Sequence, residues 1–162
     1  MSEILFTYRT SKSPVGPYTV VFENDLLCFL GIGTEAETEA LAQWPTAVPA
    51  TDAAHIALID SLLTARQVKV RCVLHGNPLQ VEVWNELAKI PYGTTVSYKE
   101  IATRIGRPEA TRAVANAIGR NQISVIIPCH RVIGSDGALH GYRWGVEVKA
   151  ALLAQEKAKR VD

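Results

Sequence analysis

The 162-residue sequence predicts an α/β N-terminal domain, a small antiparallel sheet plus a helix, followed by a mostly helical C-terminal domain that carries a helix-turn-helix. Three observations predict this. Strand-length apolar runs separated by turn residues fill the first third of the chain. Beyond residue 77 apolar residues recur at helical spacing. Between the two textures, His75-Gly76-Asn77-Pro78 supplies a break, and the domains are drawn at 1–76 and 77–162.

In the first domain Ile4 to Tyr8, Tyr18 to Phe22 and Leu26 to Ile32 are the candidate strands, separated by Ser13-Pro14-Val15-Gly16-Pro17 and by Glu23-Asn24-Asp25. Glu35 to Ala50 is small and polar with two prolines and reads as a connector with at most one helical turn. Thr51-Asp52 opens a helix whose apolar positions Ile56, Ile59, Leu62 and Leu63 share a face. Val68 to Leu74 alternates again and is a candidate to complete the sheet.

In the second domain Asn77 is an N-cap and Pro78 the first helical residue, with Leu79, Val83 and Leu87 repeating every four residues and Trp84 beside them. Ile90-Pro91-Tyr92-Gly93 stops that helix. Ser97-Tyr98-Lys99-Glu100 has the form of a capping box, and its short helix ends at Gly106. A second helix is expected from Pro108, with Ala110, Ala113, Val114, Ala117 and Ile118 as its buried stripe, ending at Gly119. Ser124 to Ile127 reads as a strand-like apolar run.

Composition limits the function. The chain is 48% hydrophobic and 20% charged, which excludes a disordered protein. No apolar run approaches the roughly 20 residues that cross a bilayer, so no membrane partner is expected. Glu3 stands where a signal peptide would be basic, and the chain reads as cytoplasmic. Three well-separated cysteines, Cys28, Cys72 and Cys129, argue against a disulfide framework. The net charge of +1 conceals an asymmetry: residues 1–78 carry −3 and residues 79–162 carry +4, so a polyanion surface belongs in the second half.

Two segments bear on chemistry. The outer face of the second short helix carries Arg112, Ala115 and Asn116 with Gly119 beyond, a long cation among small residues. That pattern suits close approach to a nucleic-acid groove and equally suits tight helix packing with Arg112 merely solvated. Cys129 follows an apolar run and precedes His130. Alone, such a pair is either a buried structural thiol beside an unrelated histidine or a nucleophile with its base.

The string Pro128-Cys129-His130-Arg131-Val132 resembles the active-site signature of the O6-alkylguanine-DNA alkyltransferase (methylated-DNA–protein-cysteine methyltransferase) family. Ile90-Pro91-Tyr92-Gly93, Val96-Ser97-Tyr98, Arg112-Ala113-Val114, Asn121, Gly141-Tyr142-Arg143-Trp144-Gly145 and Leu152-Leu153-Ala154-Gln155-Glu156 match other landmarks of that family in order and spacing. The match is specific over 79 to about 157 and thinner before it. The resemblance implies a ribonuclease-H-like first domain and a winged-helix-like second one. It also implies direct-reversal DNA repair, in which an alkyl group passes from O6 of guanine, with O4 of thymine as an open second substrate, to a cysteine of the protein.

Displacement at an alkyl carbon needs a soft, strong nucleophile, and thiolate is the best among side chains. By resemblance Cys129 is that nucleophile, His130 its base through a bridging water, and Glu156 the carboxylate that orients the imidazole. Tyr142 meets the departing O6 with its hydroxyl, and Asn121 ties the recognition helix to the active-site segment. The target base must leave the duplex stack. The resemblance implies that the recognition helix enters the minor groove, Arg112 fills the gap and Tyr98 crowds the neighbouring phosphate. Ala113, Asn116 and Gly119 line that face, and Arg143 touches the extruded nucleotide. The implied partner is duplex DNA containing O6-alkylguanine, met by a monomer without a cofactor.

His140 departs from the family pattern, which has a smaller residue there, and a bulky ring would favour methyl over larger adducts. Cys72-Val73-Leu74-His75 has C-x-x-H spacing with Cys28 and His55 as conceivable partners, yet closed zinc sites show four ligands in recognisable pairs, so no metal is assigned. Two other classes compete: a non-catalytic reader of alkylated DNA, which Cys129 itself argues against, and a Cys-His-Glu hydrolase, for which no Gly-rich oxyanion loop is evident.

Overall fold

The computed structural model describes residues 4–9, 15–50, 57 and 70–160, with the backbone alone at 4–9 and 159–160. The chain divides into two compact units, one of residues 1–75 with 122–126, the other of 76–121 with 127–162.

In the first unit β1 (Ile4–Arg9), β2 (Tyr18–Glu23) and β3 (Leu26–Ile32) form an antiparallel meander. Asn24 and Asp25 link β2 to β3 with φ of 50° and 67°. A two-residue hairpin loop needs left-handed backbone at both positions, which Asn and Asp tolerate best among non-glycine residues. Along β2 and β3 consecutive rather than alternate residues are buried, Tyr18, Val20, Val21, Phe22, Phe29 and Leu30 among them, so both faces of the sheet are covered.

The expected connector is instead a helix, α1 (Ala36–Gln43), packed on β2 and β3 through buried Ala36 and Ala40. Its Ala, Glu and Leu content favours helix, with Glu37 and Glu39 in the first turn facing the positive end of the helix dipole. Gly31 permits that packing, because a Cβ there would stand 2.8 Å from the Ala36 Cβ. Next, β4 (Val48–Pro49) joins the edge of β1 in parallel, giving the order β3-β2-β1-β4 and making the sheet mixed at one edge. The expected helix from Thr51-Asp52 through Ile56, Ile59, Leu62 and Leu63, and the Ser13-Pro14 half of the opening turn, lie outside the described residues.

Of the 68–74 run, Cys72 makes a parallel bridge to Leu27 with hydrogen bonds from Leu27 N–H to Arg71 O and from Val73 N–H to Leu27 O. Ile123 does the same for Leu30. The Ser124–Ile127 strand is not formed: the chain turns there, with Val125 at φ 71° and the Ile126 N–H bonded to Ser124 O. The run is apolar because it is tucked in, not because it is extended.

In the second unit α2 (Pro78–Leu87) starts at Asn77, whose Oδ1 accepts from Gln80 N–H at 2.8 Å while Gln80 Oε1 accepts from Asn77 N–H at 2.9 Å. Its buried face is Val83, Trp84 and Leu87. After β5 (Thr94–Ser97), the Ser97 hydroxyl caps α3 (Tyr98–Arg104) by accepting from Glu100 N–H at 3.0 Å. The Glu100 carboxylate turns instead to Arg104 at 3.0 Å. Gly106, at φ 76°, makes the turn.

Pro108–Ala110 is a single 3-10 turn, and the second helix, α4, spans Thr111–Gly119 rather than starting at Pro108. Its buried residues are Val114, Ala117 and Ile118, whereas Ala113, expected in that stripe, is exposed. α4 packs against α2 and α3, and the Trp84 indole N–H donates to Ala117 O at 2.9 Å.

Two strand pairings were not foreseen: β6 (Val132–Ile133) and β7 (Lys159–Arg160) run parallel to β5 on either side of it, framing the last helix, α5 (Val146–Glu156). Among the described residues no helix is long and apolar enough to cross a membrane.

Candidate functional site

Cys129, His130 and Arg131 form one turn of 3-10 helix entered from Pro128 and leaving into β6. The turn therefore replaces the expected extended segment, in which neighbouring side chains would point apart. Val96↔Val132 and Ser97↔Ile133 pairing lays β6 beside β5, and β5 runs directly into Tyr98 at the start of α3. From the end of α4 the Asn121 Nδ2 donates to Ile127 O at 2.7 Å, fixing the chain two residues before the thiol. This bond joins the end of α4 to the turn that carries Cys129.

Cys129 is 5% exposed and His130 fully buried. His130 Nε2 lies 2.6 Å from Glu156 Oε2 on α5, so Nε2 carries the proton toward the carboxylate and Nδ1 presents its lone pair. Nδ1 is buried with no protein partner among the described residues.

Arg131, to which the sequence assigned no role, grips the same carboxylate, with Nε on Oε1 at 2.8 Å and Nη2 on Oε2 at 3.0 Å. Its Nη1 donates to Ile90 O at 2.8 Å, and Gly93 N–H donates to Glu156 Oε1 at 3.0 Å. The Ile90–Gly93 turn is thus tied to Arg131 and to the Glu156 carboxylate.

The electrostatics follow. Burial alone would raise the Glu156 carboxyl, but the bonds from His130, Arg131 and Gly93 outweigh it and hold the group at about 2. Burial lowers the His130 imidazole, opposed by Glu156, and raises the Cys129 thiol. Asn121, the Lys149 charge and Tyr142 pull the thiol back toward ionisation.

Cys129 opens on a cavity of about 650 Å³. Of the residues singled out from the sequence, Tyr98, Arg112, Gly119, Asn121, Tyr142 and Arg143 line it with the thiol. His130 and Glu156 form a buried pair and do not line it, and Ala113 and Asn116 are exposed on α4 without lining it. Arg143 is braced: its Nη1 donates to Asn121 O at 2.6 Å and its guanidinium lies 4.8 Å from the Trp144 ring centre.

Two further lining residues stand out. His140, at φ 57°, sets its ring edge-on to Tyr98 at 6.2 Å. Lys149, 1% exposed, was missed, although its place on α5 three residues before Leu152 and seven before Glu156 puts it on their inward face.

None of the three cysteines is in a disulfide. Cys28 donates to Val21 O and Cys72 to Val70 O, and burial pushes their thiols up to about 12 and about 11. His75 lies 2.9 Å from Glu23. Among the described residues no group of three or more His, Cys, Asp or Glu is arranged to hold a metal, and His55 lies outside them.

The family model of the 6-O-methylguanine DNA methyltransferase DNA-binding domain matches residues 78–158. The methylated-DNA–protein-cysteine methyltransferase of Mycobacterium bovis is 39% identical over 154 residues, covering 94% of this chain and 93% of its own length. That of Methanosarcina barkeri is 56% identical over 82 residues, 51% of this chain and 52% of its own. Among solved structures, the Mycobacterium tuberculosis O6-methylguanine methyltransferase superposes with a TM-score of 0.81 at 36% identity over 95% of this chain and 93% of its own. That organism's OGT in complex with DNA gives 0.76 at 36% identity over 93% and 92%. By the matched domain, by identity along nearly the whole chain and by fold, this chain belongs to the methylated-DNA–protein-cysteine methyltransferase family.

Proposed function

We propose that this protein repairs duplex DNA by direct reversal, taking a methyl or other alkyl group from O6 of guanine onto Cys129 in one irreversible turnover. The observation that carries the reading is Cys129 on a cavity wall with the buried His130–Glu156 pair behind it.

The thiol proton passes through a water to His130 Nδ1, whose acceptance of it Glu156 favours. The sulfur attacks the alkyl carbon, a C–S bond forms and the C–O6 bond breaks. The electron pair leaves on O6, where the Tyr142 hydroxyl meets it. The proton lost by the thiol is in sum the one the guanine gains, so no cofactor is consumed. The product thioether has no easy reverse or hydrolytic route, and each molecule acts once.

The DNA-facing element is α4. Arg112, Ala113, Asn116 and Gly119 are exposed on it, one long cation among short side chains, which suits a narrow groove. Arg112 fills the stack, Tyr98 turns the nucleotide out and Arg143 steadies it from its brace on Asn121. Recognition of O6-alkylguanine, with O4 of thymine as a further substrate, comes from the cavity rather than from base sequence. The protein acts as a cytoplasmic monomer. Its functional halves are 1–76, a ribonuclease-H-like support, and 77–162, a winged-helix-like working domain.

Intact mass after incubation with duplex DNA containing O6-methylguanine tests the reading. One stoichiometric methyl gain, abolished in Cys129→Ser, supports it. No gain with retained binding would indicate a non-catalytic reader instead.

A further inference from the structure

A thiol, an imidazole and a carboxylate in series serve alkyl transfer, and they serve acyl transfer equally well. What separates the two is the group that arrives. An alkyl group on sulfur is a thioether and stays. An acyl group on sulfur is a thioester, whose carbonyl carbon is open to water.

The base is placed for both. His130 Nδ1 is buried with no protein partner among the described residues, and Nε2 is committed to Glu156 at 2.6 Å. Arg131 fixes both Glu156 oxygens, so the imidazole keeps one orientation before and after the sulfur is modified. A base that takes the thiol proton through a water can take a proton from that water once the sulfur is acylated.

Donors for a carbonyl oxygen are side chains here, in place of a glycine-rich loop. Asn121 and Tyr142 flank the sulfur on the cavity wall and favour negative charge beside it. Tyr98, on the same wall, accepts from Lys149 Nζ at 3.3 Å and keeps its own O–H to donate. Charge that develops on a tetrahedral intermediate therefore has partners. The cavity, about 650 Å³, is of ordinary ligand-pocket size, and Tyr98, Ala115, Ile118 and Tyr142 give it a wall that suits a flat ring. Cys28 and Cys72 do not compete, because burial pushes their thiols up and keeps them protonated.

We infer that Cys129 also hydrolyses aryl esters of short carboxylic acids, with turnover. Guanine O6 and the phenolic oxygen of such an ester are the same kind of leaving group, an oxygen on an aromatic ring. The sulfur attacks the carbonyl carbon, a C–S bond forms, and the C–O bond breaks. The aryl oxide leaves with the proton that the thiol gave to His130. Water then attacks the thioester carbon and gives a proton to His130 Nδ1; the C–S bond breaks, the carboxylic acid departs and the sulfur regains that proton. Ester and water become acid and phenol, with nothing oxidised or reduced. The inference rests on the nucleophile and base of the alkyl-transfer reading, and not on its DNA.

The test uses the full chain and 4-nitrophenyl acetate, following 4-nitrophenol release and intact mass together. Release should begin with a burst of one equivalent and an acetyl gain on Cys129. A steady phase should follow, on the order of tenfold or more above Cys129→Ser, and Glu156→Gln should slow it on the order of a hundredfold.

A burst with no further release means that the thioester persists, and overturns the proposal. So does release equal to that of Cys129→Ser, the mark of acylation at surface lysines, or a steady rate unmoved in Glu156→Gln. Methyl uptake from O6-methylguanine duplex without ester turnover overturns only this inference, whereas ester turnover without methyl uptake overturns only the transfer reading.

Discussion

Arg131 and Glu156 meet through two nitrogen–oxygen contacts, 2.8 and 3.0 Å, so the carboxylate that orients His130 is itself held in a planar fork. Because His130 takes one of the same oxygens at 2.6 Å, the position of the imidazole is fixed from behind by an arginine outside the cavity.

Glu156→Gln keeps shape and removes charge. Methyl transfer should slow on the order of a hundredfold, the usual contribution of a positioned base. Single-turnover kinetics with O6-methylguanine duplex would show this, and a rate within threefold of wild type would remove Glu156 from the relay.

Arg131→Met strands a buried carboxylate. Breaking a buried pair from one side costs about 3–5 kcal/mol, and urea denaturation should register a loss of that order. A loss below about 1 kcal/mol, the scale of an exposed pair, would mean the fork is solvent-screened.

Acid should act through the same group. The folded value of Glu156, about 2, lies below its ordinary 4.5, so its contribution to stability is complete above 4.5 and is lost as pH falls toward 2. The melting temperature should therefore drop more steeply between pH 4.5 and 2 in wild type than in Glu156→Gln. Parallel curves would contradict the depressed value.

Asn121→Ala removes one of the two donors to Ile127 O, which keeps the Cys129 N–H at 2.8 Å, and should cost about 1 kcal/mol, the net worth of one hydrogen bond. Transfer should also slow at temperatures where the variant is fully folded, because the turn bearing Cys129 loses its tether. Unaltered transfer would separate the tether from the chemistry.

Arg112→Ala should slow transfer from duplex DNA on the order of tenfold, since nothing then offsets the few kcal/mol of unstacking. Transfer from the same oligonucleotide as a single strand should stay within about twofold. Equal losses on both substrates would assign Arg112 to general phosphate attraction.

Much of this was legible in the sequence. The caps at Asn77 and Ser97, the glycine turn at 106 and the strands 18–22 and 26–32 are local, and local chemistry decides them. Cys129, His130, Glu156, Asn121 and Tyr142 came from spacing matched to a family rather than from periodicity, and the structure brings them together. What was missed is tertiary. The Ala36–Gln43 helix hid behind small polar residues whose packing partner is the sheet. The β5–β6 and β5–β7 pairings join segments distant in sequence. Ser124–Ile127 has strand composition but turns, because an apolar run reports burial and not extension. Lys149 was overlooked because a lysine in a helix usually reads as solvated.

Residues 122–126 leave the second unit and return to it within five positions, and in that span Leu30 N–H bonds to Gln122 O and Ser124 N–H to Leu30 O. The stretch acts as a darn, sewn into the edge of β3 from a later part of the chain. A gene truncated after codon 76 would thus encode a first half with a raw strand edge at Leu30, and one begun at codon 77 would carry five residues evolved for a sheet it no longer possesses. Dissection of this protein into halves should preserve neither fold cleanly, and circular permutants that keep Ile123 within reach of Leu30 are the better tool.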